Sequence, residues 1–258
     1  VMRRGIAAVF GVALGLLVSG AVRAACFDEA AWNGVLQRYT APVPEVAAVG
    51  VDYAGLRRSR ALAPVLSSLE SCRPESLDAD GRMALWINAY NVLVVEMVVR
   101  ERPKKSIRDL GSLLRPVWKR PAGRVGGRAV TLHQIEHQIL RPLGDPRIHG
   151  AMVCASQSCP SLRREPFSAA RLDAQLDDQM RSFLADRRKG ARLEGGRLRL
   201  SKIFDWFEQD FRAAGGVVAF VRPYLDFEPG AKPKLIWFDY DWSLNVLSGG
   251  NSALQSRQ

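Results

Sequence analysis

Histidine and cysteine, the side chains that most often supply bases, nucleophiles and metal ligands, are scarce in this chain. Its 258 residues include three histidines and four cysteines. No C-x-x-C spacing is present, which argues against a thioredoxin-like redox motif. After residue 24 there is no uninterrupted run of 18 apolar residues, no repeat and no low-complexity tract. We therefore expect a single ordinary domain that is not an integral membrane protein.

The first 24 residues have the pattern of a bacterial export signal. Arg3 and Arg4 provide a positive n-region, and residues 5–22 form an apolar h-region. Val22-Arg23-Ala24 then places small residues at positions −3 and −1 of a cleavage site. We expect residues 1–24 to be removed as a signal peptide and residues 25–258 to form one domain that is periplasmic or secreted.

Positive charge is in excess but is scattered along the chain. The formal net charge is +11. The predicted signal holds three arginines and no acid, so the remaining chain carries +8. The densest basic piece, residues 187–192, is interpreted as a solvated turn. An exported protein is not expected to bind nucleic acid, whereas an anionic surface of the cell envelope is a better match for a basic domain.

The four cysteines fall into two pairs. In an oxidising compartment an even number of cysteines favours disulfides. Cys26 and Cys72 flank the N-terminal helical region and are predicted to form a long-range bridge. Cys154 and Cys159 could close a structural disulfide if their Cα atoms lie within about 7 Å. The alternative is that at least one of them is a functional thiol.

Hydrophobic periodicity and capping residues predict a helical first half and a mixed second half. Gly126-Gly127 is predicted to be a turn. The predicted helices are residues 28–39, 55–70, 81–100, 131–140, 168–184 and 201–211, and the predicted strands are residues 148–153, 197–200 and 235–240. This pattern indicates a single compact α+β domain that is predominantly helical with a small sheet.

The helix at residues 81–100 is apolar on nearly all sides, which is typical of a core helix. Asn88 and Asn91 nevertheless lie on one of its faces, three residues apart. A buried carboxamide without partners costs about 1–3 kcal/mol, so each must be satisfied. One interpretation is that they bond the backbone of a neighbouring loop. The other is that they orient a catalytic histidine or stabilise an oxyanion.

His133, Glu136 and His137 match H-x-x-E-H, the inverted zinc-peptidase motif. No third ligand is evident in the sequence, so surface or capping roles are the simpler interpretation of the three residues. We expect no metal and no cofactor. His137 differs from His133 because its end of the helix is predicted to be partly buried, where it could serve as the base of a thiol.

Several short motifs occur in an order that resembles the domain-of-unknown-function 547 family, which is found in exported bacterial proteins and elsewhere. The motifs are Val51-Asp52-Tyr53, Trp86-Ile87-Asn88-Ala89-Tyr90-Asn91, Ser106-Ile107-Arg108-Asp109, Ile135-Glu136-His137-Gln138-Ile139-Leu140-Arg141, Asp145-Pro146-Arg147-Ile148-His149, the cysteine loop, Gln175-Leu176-Asp177-Asp178-Gln179 and Tyr240-Asp241-Trp242-Ser243-Leu244-Asn245. The resemblance spans residues 51–245. His133 departs from the polar or acidic residue expected there, which weakens the zinc-peptidase interpretation. The resemblance implies one compact domain with a shared site but no particular reaction.

The sequence therefore predicts a pocket formed by three elements: the asparagine face of the buried helix, the end of the next helix and the loop at residues 154–163. Predicted catalytic residues are Cys154, His137, Glu136 and Asn88, and predicted binding residues are Asn91, His149, Ser156, Cys159 and Arg163.

The leading functional hypothesis is a thiol-dependent hydrolase or acyltransferase of the cell envelope that acts on an unknown substrate. In it Cys154 is the nucleophile, His137 is its base, and Glu136 or Asn88 orients the base. Arg163 would bind a carboxylate. The alternative is a non-catalytic domain that binds an envelope ligand or partner and whose loop is shaped by a Cys154–Cys159 disulfide. A thiol–disulfide oxidoreductase is a third possibility.

Overall fold

The computed structural model describes residues 26–43, 47–226, 228 and 232–247, so the predicted export signal lies outside the described residues. The α-helices are α1 Glu29–Tyr39, α2 Tyr53–Arg58, α3 Leu62–Ser71, α4 Ala79–Glu101, α5 Ile148–Ala151, α6 Leu172–Ala185, α7 Ile203–Trp206 and α8 Val217–Val221. The strands are β1 Thr40–Val43, β2 Ala47–Val51, β3 Pro121–Val125, β4 Arg128–Thr131, β5 Ala191–Glu194, β6 Arg197–Leu200 and β7 Lys234–Trp237. A π-helix, Gln134–Leu140, and several 3₁₀ turns complete the fold.

Helix α4 is the centre of the core, as its apolar sequence predicts. Asp78 caps its first turn by accepting a hydrogen bond from the Gly81 amide at 2.7 Å. Arg102 ends it in a left-handed conformation, one residue before Pro103. The helix is long and apolar enough to cross a membrane, but 83% of its most apolar window is buried inside the protein. It is therefore the core helix of this domain.

The strands form three small sheets rather than one. Strands β1 and β2 pair antiparallel, as do β3 and β4, whereas β5, β6 and β7 form a sheet in which β6 and β7 are parallel. The predicted turn at Gly126 and Gly127 joins β3 to β4, and both glycines have the positive φ that such a hairpin turn requires. The α+β prediction is confirmed.

The strand predicted at residues 148–153 is wrong. Its first four residues form helix α5 and the remainder is extended without a strand partner. The run is buried on all sides, so its apolar sequence has no period that separates a strand from a helix. Gly150 allows α5 to approach α6 closely, since a Cβ at this position would lie 2.9 Å from Met180 Cε.

Three other predicted elements have different boundaries in the structure. The helix predicted at residues 55–70 is two helices, α2 and α3, separated at Ser59, whose backbone is extended. The helix predicted at residues 201–211 is interrupted at Phe207 and continues as a 3₁₀ helix, Glu208–Ala214. The last strand ends at Trp237 instead of Tyr240. Hairpin β3–β4 was not predicted.

The N-terminal helices are joined covalently. Cys26, just before α1, forms a disulfide with Cys72 at the end of α3, which confirms the predicted bridge. Trp32 and Leu36 of α1 and Val65 and Leu69 of α3 are buried in the same core. The bridge therefore stabilises a packing arrangement that the apolar faces already specify.

The buried residues form two clusters, and the space between the clusters becomes the candidate site. The larger surrounds α4 and extends to the cysteine loop at residues 154–163. The smaller is rich in phenylalanine and includes Phe183, Phe204 and Phe211.

Replacing the buried Leu93 by alanine should test the central role of α4. We expect Leu93→Ala to lower the free energy of unfolding by about 2–5 kcal/mol, since Leu93 is fully buried. A Cβ on Gly123 would lie 2.3 Å from Leu93 Cδ2, so Gly123→Ala should destabilise the parent but partly restore the Leu93→Ala variant. Denaturant titration of the two single variants and the double variant measures this coupling. The exposed Leu193→Ala is the matched control, and equal losses at both leucines would contradict this packing.

The Cys26–Cys72 bridge should contribute about 3–4 kcal/mol in the chain-entropy model, because its cysteines are 46 residues apart. We expect Cys26→Ser and Cys72→Ser to lose similar amounts and the double variant to lose no more than either. A reductant should lower the melting temperature of the parent but not that of the double variant. Free thiols at both positions in purified protein that has not been reduced, detected by alkylation and mass spectrometry, would disprove the bridge.

Candidate functional site

Two asparagines of α4 hold the chain on either side of the cysteine loop. Asn91 Nδ2 donates to the Ala151 carbonyl at 3.0 Å, and its Oδ1 accepts from the Val153 amide at 2.9 Å. Asn88 makes the same pair of bonds with the backbone of Phe167, at 2.7 and 3.1 Å. Both carboxamides are buried, and the nitrogen and the oxygen of each are bonded to backbone. This geometry agrees with the interpretation in which they fix a neighbouring loop.

Cys154 and Cys159 lie side by side at the start of this loop as free thiols. Their sulfur atoms are 2.7 Å apart, and the Cys154 amide donates to Cys159 Sγ at 2.8 Å. Ala155 has a φ of 58°, a left-handed conformation that is uncommon for alanine. This turn allows the Ser156 hydroxyl to lie 3.1 Å from Cys154 Sγ. The structure therefore contains no Cys154–Cys159 disulfide, although the two sulfurs are in contact.

The C-terminal segment supplies a further partner for Cys154. The Tyr240 hydroxyl lies 3.2 Å from Cys154 Sγ and 3.3 Å from Ser156 Oγ. Backbone bonds join Gln157 to Ser243 and Asn245 to Ala155. The motif at residues 240–245 therefore runs beside the cysteine loop.

The two thiols have opposite pKa shifts. Burial alone would raise the pKa of Cys154, but hydrogen bonds from Cys159, Ser156 and Tyr240 outweigh it and lower that pKa. Burial raises the pKa of Cys159, and its contact with Cys154 raises it further. Cys154 is thus the thiol that ionises first, with Cys159 as a hydrogen-bond donor to the thiolate.

Lys189 is a buried cation beneath the loop. Its ammonium group donates to the carbonyls of Cys159 at 2.7 Å and Gln157 at 3.2 Å. The interpretation of residues 187–192 as a solvated turn is therefore wrong at this position, because the carbonyl groups of the loop replace water around the ammonium group. The same cation lies close enough to the cysteines to favour a negative charge there.

A cavity of about 370 Å³ opens between the two clusters of buried residues and contains most of the predicted site. It is lined by Tyr90, Pro116, Trp118, Lys119, His133, Glu136, His137, His149, Met152, Cys154, Cys159, Ile203, Trp206, Phe207, Tyr240 and Trp242. All three histidines of the chain therefore face one cavity together with Cys154. Its walls are mainly aromatic and apolar.

Asp210 organises two of the histidines. Its carboxylate accepts two bonds from Arg141, at 2.6 and 2.7 Å, and one from His149 Nε2 at 2.7 Å. The bonds from His149 and Arg141 outweigh burial and lower the pKa of Asp210. Burial lowers the pKa of His149, so its contact with Asp210 is a hydrogen bond from a neutral ring. The His149 ring also stacks on Phe207, with centroids 4.1 Å apart.

His137 has a different environment from the one predicted. Arg141 Nη1 lies 2.7 Å from His137 Nδ1, and because a guanidinium can only donate, Nδ1 is the acceptor. Burial, with the nearby His133 and Arg141, lowers the pKa of His137 to about 4. His137 is thus neutral at pH 7, with its proton on Nε2. Among the hydrogen bonds of the described residues, none joins His137 to Cys154.

Glu136 is the most unusual titratable group in the cavity. No hydrogen bond or ion pair to its carboxyl group is found within the described ranges. Burial raises the pKa of Glu136 to about 7, and the charge of Cys154 contributes to this increase. A carboxyl group that titrates near neutrality can both donate and accept a proton at physiological pH. The sequence predicts Glu136 as the glutamate of the zinc-peptidase motif or as a residue that orients His137, but not as an acid–base group beside a thiol.

Some predicted site residues are not in the cavity. Arg163 forms ion pairs with Glu165 and Asp178, both at 2.6 Å, and does not line it. Asn88 also lies outside the lining. Conversely, no sequence pattern indicates the role of Asp210 or the tryptophan wall formed by Trp118, Trp206 and Trp242. Tyr240 and Trp242 belong to one of the family-like motifs, which by itself indicates no function for them.

The H-x-x-E-H residues do line the cavity, and the rings of His133 and His137 are 4.4 Å apart. The interpretation of these residues as surface or capping groups is therefore incomplete. Within the part of the chain that the structure describes, no group of three or more His, Cys, Asp or Glu side chains has the geometry of a metal site.

Residues 74–184 match the family described as "Protein of unknown function, DUF547". Over this segment the chain is a member of that family. The segment contains α4, the π-helix and the cysteine loop, whereas Asp210 and Tyr240 lie beyond it. Comparisons with curated proteins and with solved structures give no match.

Replacing Glu136 by glutamine should change how stability depends on pH. The pKa of Glu136 is raised on folding, so the stability that its neutral form provides at low pH is lost as the pH rises through about 7. We expect Glu136→Gln to match the parent near pH 4 and to be more stable by up to about 3 kcal/mol at pH 8. Denaturant unfolding at several pH values measures the difference.

Two controls test the origin of the Glu136 effect. Glu75→Gln, which removes an exposed carboxylate, should give no such pH-dependent gain. Cys154→Ala removes a neighbouring negative charge and should reduce the gain. A Glu136→Gln variant less stable than the parent at pH 8 would contradict a half-buried carboxyl group without partners.

Proposed function

We propose that this member of the DUF547 family is a thiol-dependent acyl-transfer enzyme, either a hydrolase or an acyltransferase, with Cys154 as nucleophile. The observation that carries the proposal is the pairing of two groups in one apolar cavity. One is a thiol whose pKa is lowered, and the other is a half-buried carboxyl group whose pKa is about 7. Perturbed pKa values of this kind are typical of catalytic nucleophiles and acid–base groups.

The first half of the reaction forms a thioester. The Cys154 thiolate attacks the carbonyl carbon of an ester or amide, and the Tyr240 hydroxyl, 3.2 Å from the sulfur, donates to the developing oxyanion. When the tetrahedral intermediate collapses, the bond to the leaving group breaks. Protonated Glu136 supplies the proton that this leaving group needs.

The second half restores the enzyme. The Glu136 carboxylate removes a proton from water or from an acceptor hydroxyl or amine, which attacks the thioester. The thiolate leaves and Glu136 is protonated again, so the proton it donated is recovered. Water as acceptor makes the reaction a hydrolysis, and any other acceptor makes it an acyl transfer.

In this scheme the histidines position groups rather than act as the primary base. His137 carries its proton on Nε2 and is a hydrogen-bond donor, which differs from the predicted role as base of Cys154. His149, held by Asp210 and stacked on Phe207, forms a rigid wall. Lys119 gives the otherwise apolar lining a cation that could pair with a negative group of the substrate.

We place this activity in the cell envelope, as a periplasmic or secreted protein. Two observations support the location: the signal-like sequence of residues 1–24, and a Cys26–Cys72 disulfide of the kind that persists in oxidising compartments. The ligand or substrate would then be an envelope component, and nucleic acid is not an expected partner.

A second candidate function is thiol–disulfide exchange. It is favoured by the 2.7 Å separation of the sulfurs and by the contrast between a half-buried, more acidic Cys154 and a buried, less acidic Cys159. The C-x4-C spacing and the unpaired Glu136 are not explained by this function. The non-catalytic binding alternative is weakened because it needs a Cys154–Cys159 bridge.

The decisive experiment is to trap the acyl-enzyme. Incubation with a p-nitrophenyl ester should add one acyl group, located on Cys154 by mass spectrometry of digested protein. We expect Cys154→Ser to acquire no thioester, and Glu136→Gln to accumulate acyl-enzyme because deacylation lacks its base. His137→Ala should still be acylated.

Alkylation kinetics provide the control for the thiol itself. Iodoacetamide should label Cys154 at pH 6–7 faster than an ordinary cysteine, without prior reduction. In the Cys159→Ala variant, Cys154 should still be labelled. The labelling rate should rise at a higher pH than in the parent, because the loss of a hydrogen bond to the thiolate raises the pKa of Cys154. Labelling that requires a reductant, combined with no acylation, would favour the binding domain. Rapid reaction with glutathione disulfide without acylation would favour thiol–disulfide exchange.

A further inference from the structure

Two adjacent leucines form the most exposed apolar feature of the described residues. Leu113 and Leu114 are 103% and 99% exposed, whereas the next most exposed large hydrophobic residue, Trp206, is 45% exposed. They occupy the tip of a two-residue turn. The Ser112 amide donates to the Arg115 carbonyl at 3.0 Å, and the Arg115 amide donates to Ser112 Oγ at 3.0 Å. The backbone therefore holds both side chains outward.

Exposed cations flank this leucine tip in the sequence on both sides. They are Lys104, Lys105, Arg108, Arg115 and Lys119. None of the five forms an ion pair with the residues that the structure describes. The acid within the same stretch, Asp109, directs its carboxylate to the backbone amides of Lys105 and Ser106, at 2.9 and 3.1 Å.

The leucine tip is continuous with the reactive cavity. Leu113 and Arg108 line a second cleft that shares Trp118, Trp206 and Trp242 with the cavity that contains Cys154. Arg108 lies over the Trp242 ring, 5.1 Å from its centroid. Tryptophan and arginine with apolar bodies and polar ends are suited to the boundary between water and lipid.

We propose that this face docks on an anionic phospholipid surface, with Leu113 and Leu114 inserted among the acyl chains and the cations against the lipid phosphates. This surface would direct an acyl group held in the membrane along the tryptophan wall to Cys154. The delivery of an acyl group to Cys154 rests on the proposed acyl-transfer function. Docking itself rests only on the leucine tip and its charges.

The charge and shape of the face favour lipid over other occupants. A second copy of the chain would bring cations against cations in a symmetric contact. Nucleic acid could neutralise the charges but would leave the leucines in water. An anionic bilayer satisfies both features, because phosphates lie above an apolar layer.

Vesicle flotation tests the docking. The purified protein should bind vesicles of phosphatidylcholine containing about one third phosphatidylglycerol, and should bind pure phosphatidylcholine much more weakly. The double variant Leu113→Ser with Leu114→Ser should lose at least about tenfold in partitioning, because two leucine side chains no longer enter the apolar layer. The control Leu193→Ser, on strand β5, should bind like the parent.

The contribution of the basic side chains and the depth of insertion into the bilayer are tested separately. Arg115→Glu with Lys105→Glu, which leaves the cavity residue Lys119 in place, should also reduce binding by about tenfold or more. Brominated acyl chains should quench tryptophan fluorescence of the parent but not that of the double serine variant. Failure to bind, or equal binding of parent and double serine variant, would overturn the proposal. Loss of a dimer in the double serine variant during size exclusion, without vesicle binding, would show that a second copy covers this face.

The same variants separate docking from chemistry. Both surface variants should keep the iodoacetamide reactivity of Cys154 and its acylation by a soluble ester. Vesicle binding with no acylation of Cys154 would leave docking standing and refute the acyl-transfer function. Acylation of Cys154 without vesicle binding would support the acyl-transfer function and refute docking.

Discussion

Two buried carboxamides on α4 fix the cysteine loop, and the remaining geometry of the cavity depends on them. Asn91 holds the backbone at Ala151 and Val153, immediately before Cys154, and Asn88 holds Phe167 beyond the loop. Each carboxamide supplies the hydrogen-bond partners that a neighbouring strand would otherwise give to the backbone. Loss of either carboxamide would therefore leave buried backbone groups without a hydrogen bond. Because α4 is the centre of the core, the rigidity of the core is transmitted directly to Cys154.

Few side chains of the cavity carry an uncompensated charge, and this determines how its acids titrate. Burial keeps His137 and His149 neutral, and Asp210 is compensated by Arg141. Cys154 and Glu136 remain, and the charge of each disfavours ionisation of the other. When Cys154 is the thiolate, Glu136 therefore tends to keep its proton. Nucleophile and proton donor are thus produced together in the state that acyl transfer would require.

The sequence predicted the core better than the site. Helix α4, its asparagines and the Cys26–Cys72 bridge follow from apolar patterning, capping and compartment. The strand at residues 148–153 could not be distinguished from a helix, because a run buried on all sides has no informative period. One partner of Cys154 could not be predicted: Tyr240 is 86 residues away along the chain, and only the folded C-terminal segment brings it to the sulfur. Residue type indicated which groups could react, whereas tertiary contacts determined which group takes which role.

The opposite pKa shifts of the two loop cysteines also connect the thiol and disulfide interpretations of this site. Oxidation of Cys154 and Cys159 would require only a small approach of sulfurs that are already 2.7 Å apart. Reduction of that disulfide would leave Cys154 as the more acidic thiol, and stabilisation of its thiolate favours the reduced state. Hydrogen bonds from Ser156 and Tyr240 to the thiolate favour the open form in the same way. A bridge here would therefore be more easily reduced than one between ordinary cysteines, so the bridge and the reactive thiol are two redox states of one site.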